Sequence, residues 1–157
     1  MGDNAATMKV QDTLQASSAE CYLTVGTRRY NFMSAFQLEA KAKKNKTKIP
    51  ILGRNTKGNK SGTIEITGTM KVHYNQSVIR QMMTDYKDTG EDIYFDIEVT
   101  NKGNATLGNQ TVCLIDCNAD EITLAKFDAN AEYLDEDISF TAEDWQLPEK
   151  FNELEGM

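Results

Sequence analysis

Thr63 to Tyr74 reads TIEITGTMKVHY, with apolar side chains at Ile64, Ile66, Met70, Val72 and Tyr74 and polar ones at Thr63, Glu65, Thr67, Thr69, Lys71 and His73. Strict alternation of this kind predicts a β-strand with one dry and one wet face, because successive strand side chains point to opposite sides of the sheet. Twelve residues extend about 40 Å at strand rise, roughly twice the usual strand length. A strand this long reaches past a single small core.

The same period runs through Phe36 to Lys43, where Phe36, Leu38, Ala40 and Ala42 alternate with Gln37, Glu39, Lys41 and Lys43. It recurs in Ile93 to Thr100 and in Asp137 to Glu143. Cys21 to Val25, Thr111 to Cys117 and Glu121 to Phe127 complete a set of about seven expected strands. One segment changes period. In SVIRQMMTDYKDTG, Val78, Ile79, Met82, Met83 and Tyr86 recur at helical spacing, with Ser77 placed to cap the start and Gly90 to end the helix. Its methionines are read as a core-facing stripe. The expected fold is therefore mainly β, an antiparallel sandwich or barrel with one flanking helix. Residues 1–18 form a polar N-terminal arm, and 19–157 a single β domain with an extended basic loop over 41–62. The glycine-bearing run 101–108 is expected to connect a hairpin.

Electrically the chain has two ends. Lys41 to Lys60 holds Lys41, Lys43, Lys44, Lys46, Lys48, Arg54, Lys57 and Lys60 and no acid, within a chain of net charge −7. From Asp116 onward thirteen acids, Glu155 among them, face only Lys126 and Lys150. Copies with such an asymmetry attract each other head to tail. The basic run contains no Phe, Tyr or Trp on which bases could stack, so specific nucleic-acid binding is not expected of it.

Reactive chemistry is sparse. Cys113 and Cys117, on one face of a regular strand, would stand about 13 Å apart, too far for a disulfide, and the three cysteines are read as small core residues. His73 is the sole histidine, which leaves neither a zinc set nor a serine or cysteine dyad; no metal and no cofactor are expected. Carboxylate pairs such as Asp116 with Asp120, or Asp96 with Glu98, are what any wetted sheet displays. Gly53 to Ser61 lacks the spacing of a phosphate loop, since Lys60 is not adjacent to Gly58, and a strand rather than a helix follows it. No apolar run approaches the roughly 20 residues of a membrane span. The first twenty residues lack the charge and apolar centre of a signal peptide, and Ala6 occupies the position where a myristoylation pattern needs Ser or Thr, so cytosolic synthesis is expected.

Three stretches carry a family resemblance: ILGRNTKGNKSGTIEITGTMKVHY, MMTDYKDTGEDIYFDIEV and LDEDISFTAEDWQLPEKF. In order, spacing and length, over residues 19 to 153, they resemble the XkdM-like tail tube proteins of contractile phage tails. The resemblance implies a structural protein without enzymatic activity. Its copies would form homohexameric rings stacked into a hollow tube that conducts DNA, inside a sheath, with a baseplate initiator, a tail terminator and a tape measure protein as partners. Assembly would take place in the bacterial cytoplasm, and the mature location would be the virion tail. Alternative readings are the inner tube of a phage-tail-like bacteriocin, a type VI-like injection tube and, from another class, a monomeric carbohydrate-binding module.

On this reading Lys41, Lys43, Lys44, Lys46, Lys48, Arg54, Lys57, Lys60 and Trp145 are the expected inter-subunit or inter-ring contacts. Arg and Trp are enriched among interface hot spots, and an exposed sheet edge finds its partner in the next subunit. Gln37, Glu39, Thr63, Glu65, Thr67 and Thr69 are the expected lumen-facing residues. They would make a polar wall of net negative charge past which DNA slides.

Overall fold

A computed structural model describes residues 7–15 and 17–154. Most of the first half of the N-terminal arm, and Glu155, lie outside these described residues. The elements are β1 (Ala19–Val25), β2 (Arg28–Asn31), β3 (Ala35–Ile49), β4 (Gly58–His73), α1 (Val78–Thr89), β5 (Phe95–Lys102), β6 (Asn109–Glu121), β7 (Asp135–Ala142) and β8 (Asp144–Glu149). All strand pairs are antiparallel, so the fold is mainly β with one helix longer than a single turn.

The chain divides into two compact units. The first comprises Met1–Met33, Tyr94–Cys117 and Asp144–Met157, the second Ser34–Ile93 and Asn118–Glu143. Each has its own buried core, Leu23, Phe95, Ile97, Leu114 and Cys117 in one and Ile66, Met70, Val72, Ile79, Ile138 and Phe140 in the other. Strand β6 serves both, pairing with β5 and β8 through residues 109–117 and with β7 through 118–121.

In the first unit the strand order is β2-β1-β5-β6-β8. Residue Asp116 takes φ 53 and its amide donates to Asp96 Oδ1 at 3.0 Å, so an extra residue is accommodated opposite β5. That bulge corrects the expected cysteine geometry. Leu114 and Cys117, three apart, are both buried while Cys113 is only half-buried, so Cys113 and Cys117 do not share a face. All three cysteines are free.

In the second unit β4 lies between β3 and β7, with α1 adding Ile79 and Met82 to the core. Gly68 is required by packing: a Cβ there would meet Phe140 Cζ at 2.4 Å. The helix is tied down by a buried charge. Glu136, 3% exposed, accepts from Gln76 Nε2 at 2.7 Å and from the Arg80 guanidinium, which also donates to Thr123 O at 3.1 Å and stacks over Tyr74. Every charge in the group is met by a partner, the condition under which a buried ion pair is tolerated. The expected Ser77 side-chain cap is absent; Gln76 Oε1 accepts the Val78 amide instead, at 3.0 Å. Gly90 does end the helix, at φ 73, with its amide donating to Tyr86 O.

Two further expectations change. Glu121 to Phe127 is not a separate strand: β6 ends at Glu121, and 122–134 is an irregular connection with Phe127 93% exposed. Strands β2 and β8 carry no clear alternation in sequence and appear only through their pairing with β1 and β6.

Candidate assembly surface

The basic segment expected as a loop over 41–62 is chiefly paired strand. Strands β3 and β4 form one long hairpin whose register runs from Ala35↔Val72 to Ile49↔Gly58, leaving only 50–57 as its tip. Backbone hydrogen bonding explains the difference, because alternate residues of the basic run exchange amide and carbonyl bonds with β4 across the ribbon. At the tip Gly53 adopts φ 82, a conformation that glycine accepts without steric cost, and the Arg54 amide donates to Ile51 O at 3.2 Å.

Strand β7 covers only part of this hairpin. Its pairing with β4 stops at Ile66↔Ala142, and β4 before Ile66 pairs only with β3. Residues 43–65 are therefore a two-stranded arm projecting from the sheet. Asn45 Nδ2 donates to Thr63 Oγ1 at 3.2 Å on its polar side. Of the eight cations in the segment, only Lys41 lies within ion-pair distance of an acid among the described residues, at 3.3 Å from Glu39.

Register decides which candidates share a face. Gln37 stands opposite Lys71, Glu39 opposite Thr69, Lys41 opposite Thr67 and Lys43 opposite Glu65. Lys71 in turn opposes Asp137, with their charged groups 4.0 Å apart, and Thr67 opposes Thr141. The expected lumen residues Gln37, Glu39, Glu65, Thr67 and Thr69 thus lie together on the wet face, but Lys41, Lys43 and Lys71 lie there with them. Over this stretch Glu39, Glu65 and Asp137 stand among Lys41, Lys43 and Lys71. Lys71 and Asp137 were not among the candidates, although the alternation of β4 and β7 was the signal that would have found them.

Trp145 belongs to the other unit, on β8 opposite Leu114, and is 39% exposed. Strand β8 is exposed along its whole length. Also in that unit, Arg29 stacks over Tyr22 and lies 3.4 Å from Glu98.

Among the described residues the sole histidine and the cysteines are not brought together. His73 lies between the rings of Phe36 and Tyr133, with centroids 4.7 and 5.8 Å away. Burial pushes the Cys21 thiol up to about 11 and the Cys117 thiol up to about 12, so both are protonated and poor nucleophiles. No cluster of three metal-ligating side chains occurs among the described residues. No helix among them is long and apolar enough to cross a membrane.

The chain is mainly β with a long projecting hairpin and exposed edges, and it belongs to the phage tail tube protein family, whose model matches residues 6–149. It is 31% identical over 147 residues to the phage-like element PBSX protein XkdM of Bacillus subtilis (strain 168), covering 93% of this chain and 97% of that protein. The fold is shared with a chain in the sheath-tube complex of the extracellular contractile injection system PVC, in the extended state (TM-score 0.64, 12% identity, 88% of this chain and 93% of that one). It is shared also with a chain of the anti-feeding prophage baseplate (TM-score 0.61, 9% identity, 90% of this chain and 96% of that one).

Proposed function

We propose that this protein builds the inner tube of a contractile phage tail, as homohexameric rings stacked about a channel through which DNA passes. The observation that carries the reading is the β3–β4 arm, a two-stranded ribbon with no third strand beside it among the described residues. Isolated two-stranded ribbons are marginal in water, so the arm has to be completed by other copies. Closure about an axis removes the aggregation hazard of the open sheet edges. Lys41, Lys43, Lys44, Lys46, Lys48, Arg54, Lys57, Lys60 and Trp145 are the contacts between copies.

The wet face of β3, β4 and β7, including Gln37, Glu39, Thr63, Glu65, Thr67 and Thr69, lines the channel. Its lysines stand among the carboxylates Glu39, Glu65 and Asp137, so DNA has little counterion release to gain by adhering and slides past. The role is mechanical and not catalytic. A sheath, a baseplate initiator, a tail terminator and a tape measure protein are the partners; assembly takes place in the host bacterial cytoplasm, and the mature site is the virion tail. The folds shared with a sheath-tube complex and a baseplate support these assignments.

Electron microscopy of the concentrated protein, alone and with a baseplate initiator, tests the reading. Tubes of uniform diameter with sixfold end-on views are expected. Particles that stay solitary under both conditions would overturn it.

A further inference from the structure

On the dry face of the hairpin the side-chain line Leu38, Ala40, Ala42 continues, by strand alternation, into Lys44, Lys46 and Lys48. The change from apolar to basic falls where β7 ends, so the face that packs a core in the body becomes an amphipathic basic surface in the arm. Ile64 remains on it at 48% exposure, and the tip adds Leu52, wholly bare at 102%. The ribbon cannot cover this surface itself, and nucleic acid does not account for bare aliphatic side chains.

The complementary pattern lies on the connection between β6 and β7. Leu124, Phe127 and Tyr133 are 70%, 93% and 62% exposed there, among the exposed acids Glu121, Asp128 and Glu132. The single base of the segment, Lys126, is held by Asp135, its ammonium 2.8 Å from the main-chain oxygen and 3.3 Å from Oδ1. Strand β8, the other acidic stretch with apolar side chains, presents Trp145 and Leu147 at only 39% and 40%.

We propose that the distal hairpin arm of one copy docks on the 121–135 connection of a second copy, with Leu52 against Leu124 and Phe127 and with Lys44, Lys46 and Lys48 facing Glu121, Asp128 and Glu132. The contact is intermolecular because of length. Tyr133 packs against His73, at the far end of β4 from the tip, and the sixteen residues of β4 hold those ends about 50 Å apart. The assignment rests on the tube reading above and names the surface that receives the arm.

Leu52→Cys and Phe127→Cys chains, mixed and allowed to polymerise, test it with a short bismaleimide linker, each single variant serving as control for the native thiols. A covalent dimer specific to the mixture is expected. Charge reversal gives a second readout: Lys44→Glu/Lys46→Glu/Lys48→Glu chains and Asp128→Lys/Glu132→Lys chains each lose assembly, while the two together regain it. Tubes that form without the 52–127 link, that link Leu52→Cys to a Leu147→Cys chain instead, or that tolerate the reversals would overturn the docking assignment and leave the tube reading standing. A parent chain that never polymerises would overturn both.

Discussion

The two halves of the β3–β4 hairpin share one pattern and meet different ends. In the proximal half, β7 flanks β4 and the alternating apolar residues Ile66, Met70 and Val72 are buried against Ile138 and Phe140. In the distal half, β4 has only β3 beside it, and Ile49, Ile51 and Ile64 stay 39%, 40% and 48% exposed. Side-chain alternation thus records which face is apolar, while burial depends on whether another strand arrives to cover it. Stability should accordingly reside in the proximal half and assembly in the distal one.

Glu136→Ala should break the comparison most severely, because it strands the Arg80 guanidinium, whose side chain is 17% exposed. Removing one partner of a buried pair costs about 3–5 kcal/mol, to be read from urea unfolding of the unassembled chain. Gly68→Ala forces a methyl group onto the Phe140 ring and should cost about 1–3 kcal/mol in the same assay. In contrast, Leu52→Ser in the arm should leave that unfolding curve within about 0.5 kcal/mol while reducing tube yield in sedimentation.

A pH series sharpens the comparison from the other unit. The Cys21 and Cys117 thiols are raised by burial to about 11 and about 12 in the fold, so as pH climbs past the ordinary thiol value the unfolded chain ionises first. Stability should be unaffected by these groups below about pH 8 and should fall as pH rises above it. Both thiols should resist a maleimide at neutral pH until denaturant is added. The smallest effect is expected from Lys41→Gln. Its bridge to Glu39 joins side chains 74% and 60% exposed, and such pairs are worth less than about 1 kcal/mol, screened further by salt.

Much of this was legible in the chain. The alternation of Thr63 to Tyr74 located the wet and dry faces of β4, and the period change after Gln76 located the helix. Other features had no local signal. The strand nature of Lys43 to Lys48 was masked by lysine, a residue depleted from strands, and only pairing with residues 58–65 reveals it. Glu121 to Phe127 has apolar residues enough for a strand, but no neighbouring ladder accepts it. Lys41 and Lys43, which lie on the wet face, were read as contacts apart from the wall, because register, which brings Lys43 opposite Glu65, is not written in either strand alone.

By itself the amino-acid order determined the antiparallel β character, the single helix, the separation of a basic from an acidic region and, through three stretches, the family. Those properties follow from periodicity and charge, which are local. Tertiary structure alone decided where β7 stops along β4, that Asp116 bulges and separates Cys113 from Cys117, and that Glu136 is buried with Arg80. Each depends on backbone hydrogen bonds and packing between residues distant in the chain, and those are settled only when the strands meet.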